Sequence, residues 1–260
     1  MSGAGAPPSS LWGRLASPFR EFGGLAGSLY LIDRLLRSLS PRLGLYVYEL
    51  MVQPITGRAL LGPKLVRDLQ FDEIGPGHPA LALMPAREDI KAARFAQGAR
   101  CLGVWRRGEL IGYLWFCAAR YEEDEVRCTY HLQPAAASIF DFDLYVMPAH
   151  RMGIGFMAVW HGANQYLHAQ GIRYTFSRLT RFNLASRKAH AHLGWKRVGR
   201  AVFLHAGPVE LMVATVRPWL AVTTTGRVPL HLQPQVLQQA APASSAVPAP
   251  PSLKREPPHD

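Results

Sequence analysis

Two carboxylates and a glycine-containing basic turn stand next to each other near the middle of this chain. Asp141 and Asp143 sit in the apolar run Ile139 to Val146, which stops at Met147-Pro148. The turn His150-Arg151-Met152-Gly153-Ile154-Gly155-Phe156 follows at once. A carboxylate at the rim of a cleft can take the proton of an incoming nucleophile. N–H groups at a helix start, helped by the helix dipole, suit a phosphate or pyrophosphate. A strand, a Gly-x-Gly turn and a helix therefore read as a phosphate cradle. The same pattern serves tight helix–sheet packing in chains that bind nothing, because glycine permits close approach. A dinucleotide fingerprint needs a third glycine and an acidic residue roughly 20 positions on, and the third glycine is missing here. The phosphate-loop pattern Gly-x-x-x-x-Gly-Lys-Ser/Thr is absent as well.

Hydrophobic periodicity supplies the elements that must hold these residues. Alternation in Ile139–Val146 places Phe140, Phe142, Leu144 and Val146 on one side, with Asp141, Asp143 and Tyr145 on the other. A helix is expected over 153–169, closed by Gly171, then a strand over 172–177. Asn183 opens a helix that runs through His192. Upstream, 81–84 reads as a strand and 86–97 as a helix. Residues 101–106 and 110–118 read as a hairpin about Arg107-Gly108. The run Glu122-Glu123-Asp124-Glu125 reads as a solvated loop, and 195–204 with 209–216 as a last hairpin. That order specifies an α/β (α+β) mixed sheet with helices on its faces, not a doubly wound parallel fold.

Residues 1–27, rich in Gly, Ala, Ser and Pro, are expected to be loose. Residues 28–79 read as an extension made of a helix from Ser28 to Leu39 and an apolar, tyrosine-bearing run from Leu43 to Val52. This extension either packs on the main domain (80–220) or lies against a membrane through residues 28–52, since basic residues flank its apolar stretches. Residues 233–260 form a Pro/Ala/Gln/Ser tail with no means of building a core.

Two motifs make residues 80–216 resemble the GNAT-type N-acyltransferases. The first is Val146-x-Pro148 with His150-Arg151-Met152-Gly153-Ile154-Gly155, similar to that family's acyl-CoA loop Arg/Gln-x-x-Gly-x-Gly/Ala. The second is Asn183-x-x-Ser186 followed by Leu193-Gly194-Trp195, similar to its Asn-x-x-Ala/Ser helix ending in Leu-Gly-Phe. The resemblance implies a central, mostly antiparallel sheet in which one parallel strand pair splays apart. Acyl-CoA, acetyl-CoA in the simplest case, would lie in that wedge. Its pantetheine would pair with backbone near Val146 and Met147. N–H groups from Met152, Gly153, Ile154, Gly155 and Phe156 would cradle the pyrophosphate, with His150 and Arg151 in the same cofactor-binding loop, and Asn183 and Ser186 would hold the pantetheine or the cofactor's far side. An amine would attack the thioester directly, with Asp143 as proton acceptor and His190 as acid toward the thiolate. The family pattern is altered at two positions. His150 replaces the usual Arg or Gln, and His190 replaces a tyrosine seven residues after the asparagine.

The rest of the composition bounds the partners. A formal net charge of +11, from 29 Lys+Arg against 18 Asp+Glu, favours an acidic partner. No nucleic-acid recognition motif appears. An odd count of three cysteines without Cys-x-x-Cys suggests neither a disulfide framework nor a metal site. Without a signal-type segment or a spanning apolar run, the expectation is a cytoplasmic protein, soluble or held at a membrane surface. Three functions stay open at this point. They are an N-acetyltransferase on a small amine, a long-chain acyltransferase served by an acyl carrier protein, and a CoA-binding module without turnover.

Overall fold

A computed structural model describes residues 11–238. Helices α1 (Leu11–Phe22) and α2 (Gly24–Leu39) precede strand β1 (Leu43–Pro54). Then come α3 (Pro63–Val66), β2 (Leu69–Glu73), α4 (Glu88–Ala96), β3 (Arg100–Arg106), β4 (Glu109–Ala118), β5 (Arg120–Glu122) and β6 (Cys128–Leu132). The second half runs β7 (Ser138–Val146), α5 (Gly155–Ala169), β8 (Tyr174–Thr180), α6 (Leu184–Ala191), β9 (Lys196–Ala206), β10 (Val209–Ala214), β11 (Leu220–Thr223), β12 (Val228–Leu232) and α7 (Gln235–Gln238).

Nine strands form one sheet in the order β11-β10-β9-β1-β8-β7-β4-β3-β2, and β12-β6-β5 form a second, small sheet. In the large sheet only β7 and β8 run parallel; every other neighbouring pair is antiparallel. One core cluster joins Tyr48, Trp115, Phe140, Phe176 and Phe203 of the large sheet to Tyr121, Tyr130 and Leu230 of the small one. A second cluster, on the opposite face, packs α5 through Val159, Trp160 and Ala163 against Leu102, Leu114 and Ile139.

Several sequence expectations need correction. The run Leu43–Val52 is no extension. It is a strand inside the sheet, between β9 and β8, and its residues from Val47 to Gln53 are all buried. A strand covered on both faces reads as continuous apolar sequence rather than alternation, which hid it. β1 is therefore core and offers no surface to a membrane. With β2 also in the main sheet, and β12 in the core cluster, the domain reaches beyond the 80–220 boundaries at both ends. Residues 11–27 carry helix α1 and the start of α2 instead of a loose segment. The helix expected to start at Ser28 begins at Gly24, and Ser28 lies inside it with its hydroxyl donating to Gly24 O. Residues 79–83 form a short 3-10 helix, not a strand, begun by Pro79 with His78 Nδ1 accepting from Ala80 N. Residues 1–10 and 239–260 lie outside the described residues.

Candidate active site

The parallel pair β7–β8 makes the site. Its register covers Ser138↔Tyr174 to Asp141↔Ser177 and then stops. Neither strand ends there. β7 stays paired with β4 as far as Val146, and β8 stays paired with β1 as far as Thr180. The two strands diverge because each is held by its other neighbour. Met147 N donates to Ile111 O on β4, so ladder alternation turns the backbone groups of Val146 and Leu144 into the gap. A cavity of about 640 Å³ fills this wedge, lined by β7, β8, α5 and α6. A parted parallel pair, followed on one side by a Gly-x-Gly helix start, decides the architecture. The fold is GNAT-like.

A bulge reshapes β7 exactly where the strands part: Trp115 faces Asp143 while Phe116 faces Asp141, leaving Phe142 as the extra residue. The bulge breaks the expected alternation, so Asp141 and Asp143 do not share a face. Asp143 and Tyr145 turn toward the Trp115 and Tyr113 side. Asp143 Oδ2 accepts from Arg94 Nη1 at 2.7 Å, and Tyr145 stacks on Tyr113. Asp141 is buried and accepts from Thr175 Oγ1 at 2.6 Å. Burial pushes its carboxyl up to about 7, and the Thr175 hydrogen bond only partly offsets this. Both carboxylates line the cavity.

The loop after β7 departs from expectation in its side chains. Arg151 lines the cavity, donating from Nε to Val146 O at 3.0 Å, with its guanidinium over the Tyr145 ring. His150 turns away, its Nε2 3.2 Å from Glu109 Oε1, and borders a smaller cavity beneath the loop. Arg151, not His150, is thus the basic side chain that this loop brings to the cavity. The N–H groups of His150, Arg151 and Gly153 close turns within the loop. Those of Gly155, Phe156 and Met157 open α5, where a helix has no internal acceptor for them. Gly155 is small for a packing reason. A Cβ there would sit 2.5 Å from Val146 Cγ1 and 2.8 Å from His150 O. At Gly153 the nearest atom would be His150 O at 3.8 Å. Val146 and Phe156 line the cavity, whereas Met147, Met152, Gly153, Ile154 and Gly155 do not.

Helix α6 brings the second motif to the opposite wall. Asn183 caps it, Oδ1 accepting from Ser186 N at 3.0 Å. Asn183, Ser186 and His190 all line the cavity. His190 Nδ1 lies 2.8 Å from Ser186 O, an atom that can only accept, so the Nδ1 proton is committed there. Its ring stands edge-on to Phe156 and Trp160, and burial lowers its pKa. A neutral ring protonated at Nδ1 presents a bare Nε2, which accepts a hydrogen bond and cannot donate one.

Of the acidic run 122–125, expected to be solvated, Asp124 and Glu125 are exposed, whereas Glu123 is buried and the run is tied to the cavity through Arg178. Arg178, which lines the cavity, bonds Glu123 at 2.8 and 2.9 Å and lies 2.8 Å from Glu125. Tyr48 OH donates to Glu125, and Arg94 reaches both Asp124 and Asp143. Two guanidiniums thus meet four carboxylates, leaving this wall with an excess of negative charge. Arg94, Arg178 and Tyr48 were missed from the sequence, because their partners are distant in the chain and no spacing announces them. All three cysteines are buried free thiols, and burial pushes the Cys117 thiol up to about 12. No cluster of three or more metal-ligating side chains exists among the described residues. No helix among them is long and apolar enough to cross a membrane.

No protein-family model and no curated protein matches the chain. Among solved structures it is similar to a tandem GNAT protein from the clavulanic acid biosynthesis pathway, at 16% identity and a TM-score of 0.43, over 63% of this chain and 55% of that one. It is similar to the glucosamine N-acetyltransferase region of a fungal multi-domain beta-N-acetylglucosaminidase, at 13% identity and a TM-score of 0.45, over 77% of this chain and 24% of that one. An aminoglycoside acetyltransferase from an uncultured soil metagenomic sample matches at 12% identity and a TM-score of 0.33, over 49% of this chain and 88% of that one. The chain spans just over half the length of the first of these and about a quarter of the second.

Proposed function

We propose that this chain is an acyl-CoA-dependent N-acyltransferase, in the simplest case an N-acetyltransferase acting on a primary amine. The carrying observation is the parted β7–β8 pair, whose free backbone edges face a cavity beside the start of α5. An extended amide-bearing arm fits between two such edges as an added strand fits a sheet. Pantetheine is an arm of that kind, and its pyrophosphate would meet the N–H groups of Gly155 to Met157.

In this reading the amine nitrogen attacks the thioester carbonyl, forming the C–N bond, and collapse of the tetrahedral intermediate breaks the C–S bond. The N–H of Val146 or Leu144 stabilises the oxyanion. Asp141 takes the ammonium proton, directly or through one water, because its raised pKa matches a proton acceptor working near neutrality. Asp143, ion-paired with Arg94, holds the acceptor's cationic group instead of acting as the base. The sulfur leaves as a thiolate, whose conjugate thiol titrates at about 8.5, so no acid from His190 is required. His190 Nε2 accepts a hydrogen bond from the bound donor or from a water beside it.

The test is thiol release from acetyl-CoA with a panel of mono- and polyamines. Turnover with a cationic amine supports the reading. CoA binding without turnover on any amine would leave a binding module, and activity only on long acyl groups presented by a carrier protein would shift the donor class.

A further inference from the structure

Strands β9, β10 and β11 make up the outer part of the large sheet, and their register sorts the side chains on one face. Leu204 pairs with Leu211 and Leu211 with Val222; Val202 pairs with Val213 and Val213 with Leu220. Two apolar rows therefore run across three strands on a single face. Val213, Leu220 and Val222 are 51%, 65% and 64% exposed. The other face of the same strands is buried, with Met212 and Phe203 in the core. The one acidic residue of these strands, Glu210, lies on that inner face at 1% exposure.

The next row on the same face is basic. Arg200 pairs with Glu49 of β1, and Glu49 also meets Arg181 at 2.7 Å, Arg187 at 3.0 Å and Arg197 at 3.6 Å. Four guanidiniums surround one buried carboxylate, so the margin of the apolar patch carries a clear positive excess. No described acid on the patch's own strands faces it.

We infer that this face is a docking surface for an anionic lipid bilayer. Exposed Val213, Leu220 and Val222 would enter the boundary between headgroups and acyl chains, while the arginines around Glu49 meet lipid phosphates. Contiguous apolar surface beside basic charge on a soluble fold marks an interaction site. A second copy of the chain offers no complementary charge, having the same basic margin; anionic headgroups do offer it. The inference does not depend on the proposed acyl transfer, and its apolar surface is separate from residues 28–52.

The test is flotation of the full chain with vesicles of phosphatidylcholine alone and of phosphatidylcholine mixed with phosphatidylglycerol. Binding should appear on the mixed vesicles and weaken as salt rises. Val213→Glu with Leu220→Glu, both exposed positions, should lower partitioning at least about tenfold at unchanged Tm. Arg197→Gln and Arg200→Gln should each lower it about fivefold. Equal flotation on both vesicle types, or variants that partition like the parent chain, would overturn the proposal. A concentration-dependent dimer in sedimentation, abolished by the same Glu substitutions, would overturn it in favour of a second copy.

Discussion

Asp141→Asn separates chemistry from stability in a single substitution. Its carboxyl is raised from 3.8 to about 7 by burial, with Thr175 Oγ1 at 2.6 Å. A raised acid binds its proton more tightly in the folded chain than in the unfolded one. Its ionisation therefore erodes stability as pH climbs from about 4 to about 7, and the loss is constant above that. Three pH units at 1.36 kcal/mol each make the full penalty about 4 kcal/mol above pH 8. At pH 5 it is about 1.5 kcal/mol. Asn keeps an oxygen for the Thr175 hydroxyl and carries no charge. The variant should thus melt above the parent by roughly 8–16 °C at pH 8.5, and by a few degrees at pH 5, at about 2–4 °C per kcal/mol for a chain of this size. Turnover should fall about 10²-fold or more, because general-base contributions are of that order. In the parent, kcat should rise with pH through about 7. Paired calorimetric melts at the two pH values and a pH–rate profile provide the readout. A melting difference that does not grow with pH would refute the buried-carboxylate argument, and retained turnover would remove Asp141 from the chemistry.

Other substitutions probe the remaining parts. Gly153→Asp makes only an ordinary contact with His150 O, so Tm should hold while CoA affinity drops at least about tenfold by charge repulsion at the α5 start; unchanged affinity in a titration would move the phosphate site elsewhere. Gly155→Ala should instead cost about 1–3 kcal/mol of stability by overpacking against Val146 and His150, read as a lower Tm. His190→Ala should weaken CoA binding a few-fold with kcat close to the parent's, because Nε2 only accepts a hydrogen bond from the bound donor; a large fall in kcat at unchanged affinity would return His190 to the chemistry. Glu49→Gln should cost about 3–5 kcal/mol in denaturant melts, since it leaves four arginines without their buried counter-charge.

The parts of the site that are local in sequence were legible in it. Helix α5, strands β3, β4, β7 and β9, and helix α6 each carry their own periodicity or cap, and Asn183 and Gly155 mark their ends. The wedge was implied by the family resemblance that the two motifs carry, and Val146, Arg151, Phe156, Asn183, Ser186, His190 and Asp143 do line one cavity. What depends on long-range pairing was not legible. β1 enters the sheet between strands far from it in the chain, and its two-sided burial removes the alternation that would announce it. The Phe142 bulge flips Asp143 relative to Asp141 through a register slip against β4, which no pattern in β7 alone can reveal. Glu123, Asp124 and Glu125 find their arginines in α4 and β8, so the burial of Glu123 depends on partners that composition alone does not reveal, while Asp124 and Glu125 stay exposed as expected. His150 turns to the Glu109 side of the loop, and the neighbouring Arg151 takes the cavity.

The most direct measurement is a crystal structure of the full chain with acetyl-CoA. The account places the pantetheine between Leu144–Val146 of β7 and Arg178–Thr180 of β8, the pyrophosphate at the N–H groups of Gly155 to Met157, and the thioester carbonyl within reach of Asp141. Acetyl-CoA seated away from the wedge, or a wedge left empty at saturating ligand, would contradict it.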